Sequence, residues 1–140
     1  MTSKINGGCA CGAIRYEIAA EPMMAGHCQC RDCQRASGTG HSSIVAFPEP
    51  AVTLKGSPKY HNVKADSGAT VSRGFCATCG SPVMARTTSM PGVVTIPAGS
   101  LDDPARYQPG MVVYTKSAQA WDKMDAALSK FDKLPPMPGR

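Results

Sequence analysis

Aromatic side chains are scarce in this chain of 140 residues: Phe, Tyr and Trp make up 6% of it, with a single Trp. No run is long and apolar enough to cross a bilayer, and the opening Met-Thr-Ser-Lys-Ile-Asn-Gly-Gly has no apolar signal-peptide core. Like charges never cluster either. The 15 Lys and Arg residues are scattered from Lys4 to Arg140, which argues against a nucleic-acid-binding tail or stripe. Beyond its cysteine groups the chain has no internal repeat, and no linker divides it. Length and the missing linker predict one domain over residues 1–134, followed by a loose tail over 135–140.

Small and turn-forming residues are plentiful, with 14 Gly and 12 Pro. That composition predicts a mainly β, loop-rich protein of short strands rather than a helical bundle. A chain this long buries somewhat under roughly 70% of its unfolded surface, enough for a real but modest core. A bound metal would supplement it, since structural zinc contributes on the order of 10 kcal/mol to folding. The formal charge is +5, and it falls to about +2 if one zinc takes four thiolates and another takes three.

Seven cysteines is an odd number, which disfavours a closed disulfide framework. A reducing, cytoplasmic setting is therefore expected, where thiols stay available to metal. The thiols fall into three groups. Cys9 and Cys11 are framed by Gly7, Gly8 and Gly12, which let backbone approach an ion closely. Cys28, Cys30 and Cys33 lie within six residues, in His-Cys-Gln-Cys-Arg-Asp-Cys. Cys76 and Cys79 form a Cys-x-x-Cys-Gly knuckle, a tight turn that offers two thiolates while Gly80 takes the conformation other residues resist. Core packing gives cysteine no reason to recur at i, i+2 and i+5, whereas an ion does. In extended chain Cys28 and Cys30 share a face, and a tight turn at Arg31-Asp32 would bring Cys33 round to them.

Alternation in 14–18 marks a half-buried strand with Cys9 and Cys11 at its entry. Further short strands are expected at 43–47, 52–54, 60–63, 69–75, 81–86, 93–96 and 111–114. A helical turn over 34–38 would end at Gly38. Trp121, Met124, Leu128 and Phe131 recur at helical spacing, which predicts a C-terminal helical segment over 118–133 ended by Pro135-Pro136.

Only one combination of whole groups makes a closed set of four: Cys9 and Cys11 with Cys76 and Cys79. That leaves Cys28, Cys30 and Cys33 as a three-thiol set. Mixed pairings are compatible with the spacing but strand a lone thiol. Four protein ligands make a structural zinc site, and three with an exchangeable corner make a catalytic one. His27 faces away from its neighbouring cysteine in extended chain, so it is read as a non-ligand. His41 and His61 are read as surface or satisfied histidines, with His41 given more weight for its polar loop.

With these motifs in order, the chain resembles the glutathione-dependent formaldehyde-activating (GFA) family, whose domain is shared with centromere protein V. The resemblance rests on Gly8-Cys9-x-Cys11-Gly12-Ala13-Ile14-Arg15-Tyr16, Cys28-x-Cys30-x-x-Cys33-Gln34-Arg35-Ala36-Ser37-Gly38 and Phe75-Cys76-x-x-Cys79-Gly80-Ser81-Pro82. Gly99-Ser100-Leu101-Asp102-Asp103-Pro104 and Lys116-Ser117-Ala118-Gln119-Ala120-Trp121 extend it. It implies an antiparallel β-tent fold, structural zinc on Cys9, Cys11, Cys76 and Cys79, and catalytic zinc on Cys28, Cys30 and Cys33. The implied activity is that of a carbon–sulfur lyase acting on S-hydroxymethylglutathione, the adduct of formaldehyde and glutathione. Glutathione carries two carboxylates, for which Arg31, Arg35 and Arg73 are the candidate partners. The expected partner is thus a small thiol or aldehyde, with no nucleic acid and no membrane. Two other readings compete: a zinc-stabilised binding module, and a thiol redox or metal sensor.

Overall fold

Short strands dominate the computed structural model, which describes residues 4–136. The strands are β1 (Ile5–Gly8), β2 (Arg15–Ile18), β3 (Met24–Cys28), β4 (Ser42–Pro48), β5 (Val52–Lys55) and β6 (Lys59–Lys64). They continue with β7 (Thr70–Phe75), β8 (Pro82–Thr87), β9 (Val93–Pro97), β10 (Met111–Val113) and β11 (Ser129–Lys130). Among the described residues there is one α-helix, α1 (Arg31–Ser37), and the rest is loops and 3-10 turns. The protein is mainly β, as its composition predicts. No helix among the described residues is long and apolar enough to cross a membrane.

The chain forms two compact units, one drawn from Met1–Met24 and Val45–Tyr107 and the other from Ala25–Ile44 and Gln108–Arg140. In the first unit β1, β2 and β5 make a small antiparallel sheet in that order. Tyr16 and Ile18 of β2 point into the core while Arg15 and Glu17 point out, the period-2 pattern of a half-buried strand. Tyr16 lies opposite Gly7, where any Cβ would collide with the Tyr16 ring and with the Ser100 carbonyl. The same unit holds the run β9-β8-β7-β6, in which β6, β7 and β8 pair antiparallel. Phe47, Val83, Val94 and Ile96 are fully buried there, so Ile, Val and one Phe supply the core that few aromatics are left to build.

The second unit is built on β11-β10-β3, with parallel pairing on both sides of β10. Val112 and Val113 of β10 are buried. After β3 the chain turns into α1, which starts earlier than the predicted turn at 34–38 and absorbs Arg31 and Asp32. Cys33 is therefore brought round by the first turn of a helix rather than by a tight turn. Gly38 ends the helix in the left-handed region (φ 78), as its position predicts.

The C-terminal helical segment expected over 118–133 is not formed; turns and the short strand β11 take its place. The physical reason is where the backbone finds partners. Phe131 donates its N–H to the Val112 carbonyl (2.9 Å) and accepts from the Thr115 N–H (3.1 Å), so the chain zips along β10 instead of bonding to itself. Asp125 competes locally, accepting the Ala127 N–H at its side chain (2.9 Å) and the Leu128 N–H at its carbonyl (3.2 Å). An isolated helix of this length is marginal without a buried face, and Trp121 is 65% exposed. Of the tail expected over 135–140, residues 137–140 lie outside the described residues.

Candidate metal centres

Two hairpin loops of the first unit carry the four-thiol set. Cys9 and Cys11 lie in the loop that joins β1 to β2, closed by Cys9 N–H to the Ile14 carbonyl (3.1 Å) and Gly12 N–H to the Cys9 carbonyl (3.2 Å). Cys76 and Cys79 lie in the β7–β8 loop, closed by Cys76 N–H to the Ser81 carbonyl (2.9 Å) and Gly80 N–H to the Cys76 carbonyl (2.8 Å). Gly80 has φ 78, the left-handed conformation the knuckle requires. The four sulfurs all lie within 4.8 Å of one another, with Cys9 and Cys76 buried and Cys11 and Cys79 exposed. The Cys9–Cys11 and Cys11–Cys76 sulfur separations are both 3.7 Å. A tetrahedron of sulfurs at about 2.3 Å from zinc has edges of about 3.8 Å, so the spacing fits that ion.

The loop electrostatics prepare these sulfurs for a cation. The Ile14 N–H donates to Cys9 Sγ (3.2 Å) and draws that thiol below its ordinary pKa. The Ser81 hydroxyl, 3.2 Å from Cys79 Sγ, together with the Ser81 and Cys11 backbone brings Cys79 down to about 5. At Cys11 the Ala13 N–H favours the thiolate, but the Cys9, Cys79 and Cys76 sulfurs, with partial loss of hydration, win and push it up to about 11. Four thiolates cannot crowd together without a positive charge among them, which a metal ion would supply.

The second unit holds the three-thiol set, again with all sulfurs within 4.8 Å. Cys28 ends β3, Cys30 is the N-cap of α1, and Cys33 lies in the first turn of that helix. The Cys33 N–H donates to Cys30 Sγ (3.3 Å), so one candidate ligand doubles as the helix cap. Cys28 and Cys33 are buried with Val113, and Cys30, Met111, Tyr114 and Phe131 pack around them partly buried. The Cys30 and Cys33 sulfurs, then burial, raise the Cys28 thiol far above its usual range. Cys30 is raised too, because Cys33 and burial outweigh the Cys28 contact that favours its thiolate. Tyr114 occupies the left-handed region at φ 58, the single non-glycine residue there among those described. Among the described residues there is no third cluster of possible metal ligands.

Two buried glutamines brace this loop. Gln29, between Cys28 and Cys30, is 2% exposed; its N–H donates to the Val113 carbonyl (3.0 Å) and its Nε2 to Asp122 Oδ2 (3.0 Å). Gln34, 5% exposed, donates through Nε2 to the carbonyls of Gln29 (2.9 Å) and Ser117 (3.0 Å). Its Oε1 accepts from Gln119 Nε2 (3.3 Å) and from Arg31.

His27 pairs its Nδ1 with Ser43 Oγ (2.8 Å), and burial holds its pKa below the ordinary value. The His41 ring stands edge-on to it at 4.8 Å. His41 Nδ1 donates to the Asp122 carboxylate (2.9 Å), a contact sequence reasoning missed because Asp122 lies 81 residues away. His61 is exposed on β6. Of the arginines singled out for a carboxylate-bearing ligand, Arg31 and Arg35 sit in the first and last turns of α1, with Arg35 exposed. Arg73 lies on β7 of the first unit, opposite His61 and Ala85.

No curated protein matches the chain. A crystal structure of a Rhodobacter sphaeroides protein shares the fold, with a TM-score of 0.56 at 20% identity, over 69% of this chain and 87% of that one. The family model described as glutathione-dependent formaldehyde-activating enzyme matches residues 4–117, a stretch that contains all seven cysteines. On that match, and on the two thiol clusters it spans, the chain belongs to the GFA family.

Proposed function

We propose that this protein is a zinc-dependent enzyme of the carbon–sulfur lyase type, acting on a thiol–aldehyde adduct such as S-hydroxymethylglutathione. One observation carries the reading: the seven thiols divide into a set of four and a separate set of three. The donor sets fit two zinc ions, one held structurally by Cys9, Cys11, Cys76 and Cys79 and one held with a corner to spare by Cys28, Cys30 and Cys33. Zinc in the second set would supply positive charge to keep a substrate sulfur as thiolate.

In the adduct-forming direction a thiol sulfur attacks the formaldehyde carbon. The carbon–oxygen π bond opens, and the thiol proton ends on the new hydroxyl. The reverse reaction returns that proton to sulfur as the C–S bond breaks. Little of the barrier needs strong polarisation, because bringing the reactants together supplies much of the gain. The residues around the three thiols suit this role. Met111, Tyr114 and Phe131 shield the sulfurs from bulk water, and the Cys33 N–H fixes Cys30 Sγ. Exposed Arg35 on α1 is the candidate partner for a substrate carboxylate, with Arg31 beside it and Arg73 a further candidate in the first unit. The setting we infer is cytoplasmic, where such thiols stay reduced.

Metal content and turnover together test the proposal. The wild-type protein should carry about two zincs per chain, and Cys30→Ser about one with the fold intact. Glutathione and formaldehyde should reach equilibrium with their adduct faster over the wild-type protein than in buffer, and Cys30→Ser should lose that acceleration. A fully loaded protein that leaves the buffer rate unchanged refutes the reaction.

A further inference from the structure

We infer that Asp122 is a positioning residue for the Cys28–Cys33 loop and acts on it through Gln29. The inference rests on the reading that these three thiols hold a metal. It reaches beyond the family pattern, because Asp122 lies outside the matched stretch 4–117.

The peptide between Cys28 and Cys30 is fixed from every side available to it. Its N–H is taken by the Val113 carbonyl and its C=O by Gln34 Nε2. Its side chain reaches Asp122, donating to Oδ2 at 3.0 Å and approaching the Asp122 carbonyl at 3.4 Å. In extended chain, neighbouring side chains project to opposite faces, so the Gln29 tether grips the loop from the side away from the Cys28 thiol. The tether thus holds the loop without competing for the ligand face.

The Asp122 carboxylate is itself held in a built slot. Its side chain is 8% exposed, and its second partner is His41 Nδ1, at 2.9 Å from Oδ1 and 3.0 Å from Oδ2. A carboxylate only accepts, so His41 carries its hydrogen on Nδ1. Gly40 closes the slot, since any Cβ there would overlap the carboxylate. Upstream, the Asp122 N–H bonds to the Gln119 carbonyl (3.0 Å), and Gln119 reaches Gln34. The segment 117–122 and the three-thiol loop therefore share one hydrogen-bonded frame in which Gln29 and Gln34 are the buried links. Groups that orient metal ligands in this way typically cost 10–100-fold in metal affinity when removed.

Cobalt(II) in place of zinc gives a direct spectroscopic view of thiolate coordination, and chelator competition gives affinity. In Asp122→Ala and Gln29→Leu, the three-thiol set should bind roughly 10–100-fold more weakly, with a shifted cobalt spectrum. The four-thiol set, read separately in Cys30→Ser, should be unchanged. Asp122→Asn should restore most of the affinity, because the new Asn Oδ1 can still accept from Gln29 Nε2. Unchanged affinity and spectrum in both Asp122→Ala and Gln29→Leu overturn the inference. So does equal loss at both thiol sets, which would mark a general loss of fold. A wild-type protein that never loads the three-thiol set overturns the metal reading itself, and the inference with it.

Discussion

Replacing Gln34 with Leu probes the frame around the three thiols most severely. The side chain is 5% exposed and its amide donates to two backbone carbonyls, Gln29 at 2.9 Å and Ser117 at 3.0 Å. Its oxygen accepts from Gln119 at 3.3 Å and from Arg31. Leu is similar in bulk, so little cavity is created and the loss is polar. Each hydrogen bond contributes about 1 kcal/mol net, and a buried carbonyl left without a partner costs about 1–3 kcal/mol. The Gln29 and Ser117 carbonyls lose their donor together, and the exposed end of Arg31 can return to water. The expected destabilisation is about 2–4 kcal/mol. With a urea slope of about 2 kcal/mol per molar, the unfolding midpoint of the metal-loaded protein should fall by about 1–2 M at unchanged slope. Gln34→Glu sharpens the test. It keeps the shape but sets an acceptor-only group against two carbonyls, so it should cost at least as much as Leu. A Leu variant within about 0.5 kcal/mol of wild type, or a Glu variant as stable as wild type, would refute this account of the loop.

Alkaline pH should expose the burial of Tyr16. Burial pushes its hydroxyl up to about 12 from 10.0, with Ser100 Oγ 2.6 Å away. Between those values the folded state holds a proton that the unfolded state has lost, so stability present below about pH 10 should decline as pH rises towards 12. Tyr16→Phe should flatten that decline, read by thermal melts from pH 9 to 12; an identical slope would remove Tyr16 as its cause. Gly80→Ala should cost about 1–2 kcal/mol through its positive φ alone, because no atom lies within 4 Å of the Cβ position. A loss above that range, measured in urea, would mean that the knuckle depends on something other than backbone conformation.

The short strands and their boundaries follow from alternation and from proline and glycine, which act locally, so most of the predicted strands appear within a residue or two. The Cys-x-x-Cys-Gly knuckle was equally legible, since Gly80 and two thiols three positions apart define one turn. The expected helix over 118–133 failed for a nonlocal reason. Its 3.6-residue spacing is real, but Phe131 finds its backbone partners on β10 and Thr115, and no sequence period reports a parallel pairing. Asp122 was missed on the same ground. A single carboxylate 93 residues from Gln29 carries no pattern, and its role exists only once both are buried together.

The amino-acid order by itself determined the donors: which residues are thiols, how they group, and that the Cys76–Cys79 pair sits in a tight turn closed by Gly80. Those are short-range properties of spacing and backbone preference. Tertiary structure alone decided that Cys9 and Cys11 meet Cys76 and Cys79 within 4.8 Å. It also decided that Gln29 of the three-thiol loop reaches Asp122 and that Gln34 reaches Ser117. Such contacts depend on chain closure over 65 residues or more, where burial makes a hydrogen bond matter and composition has no say.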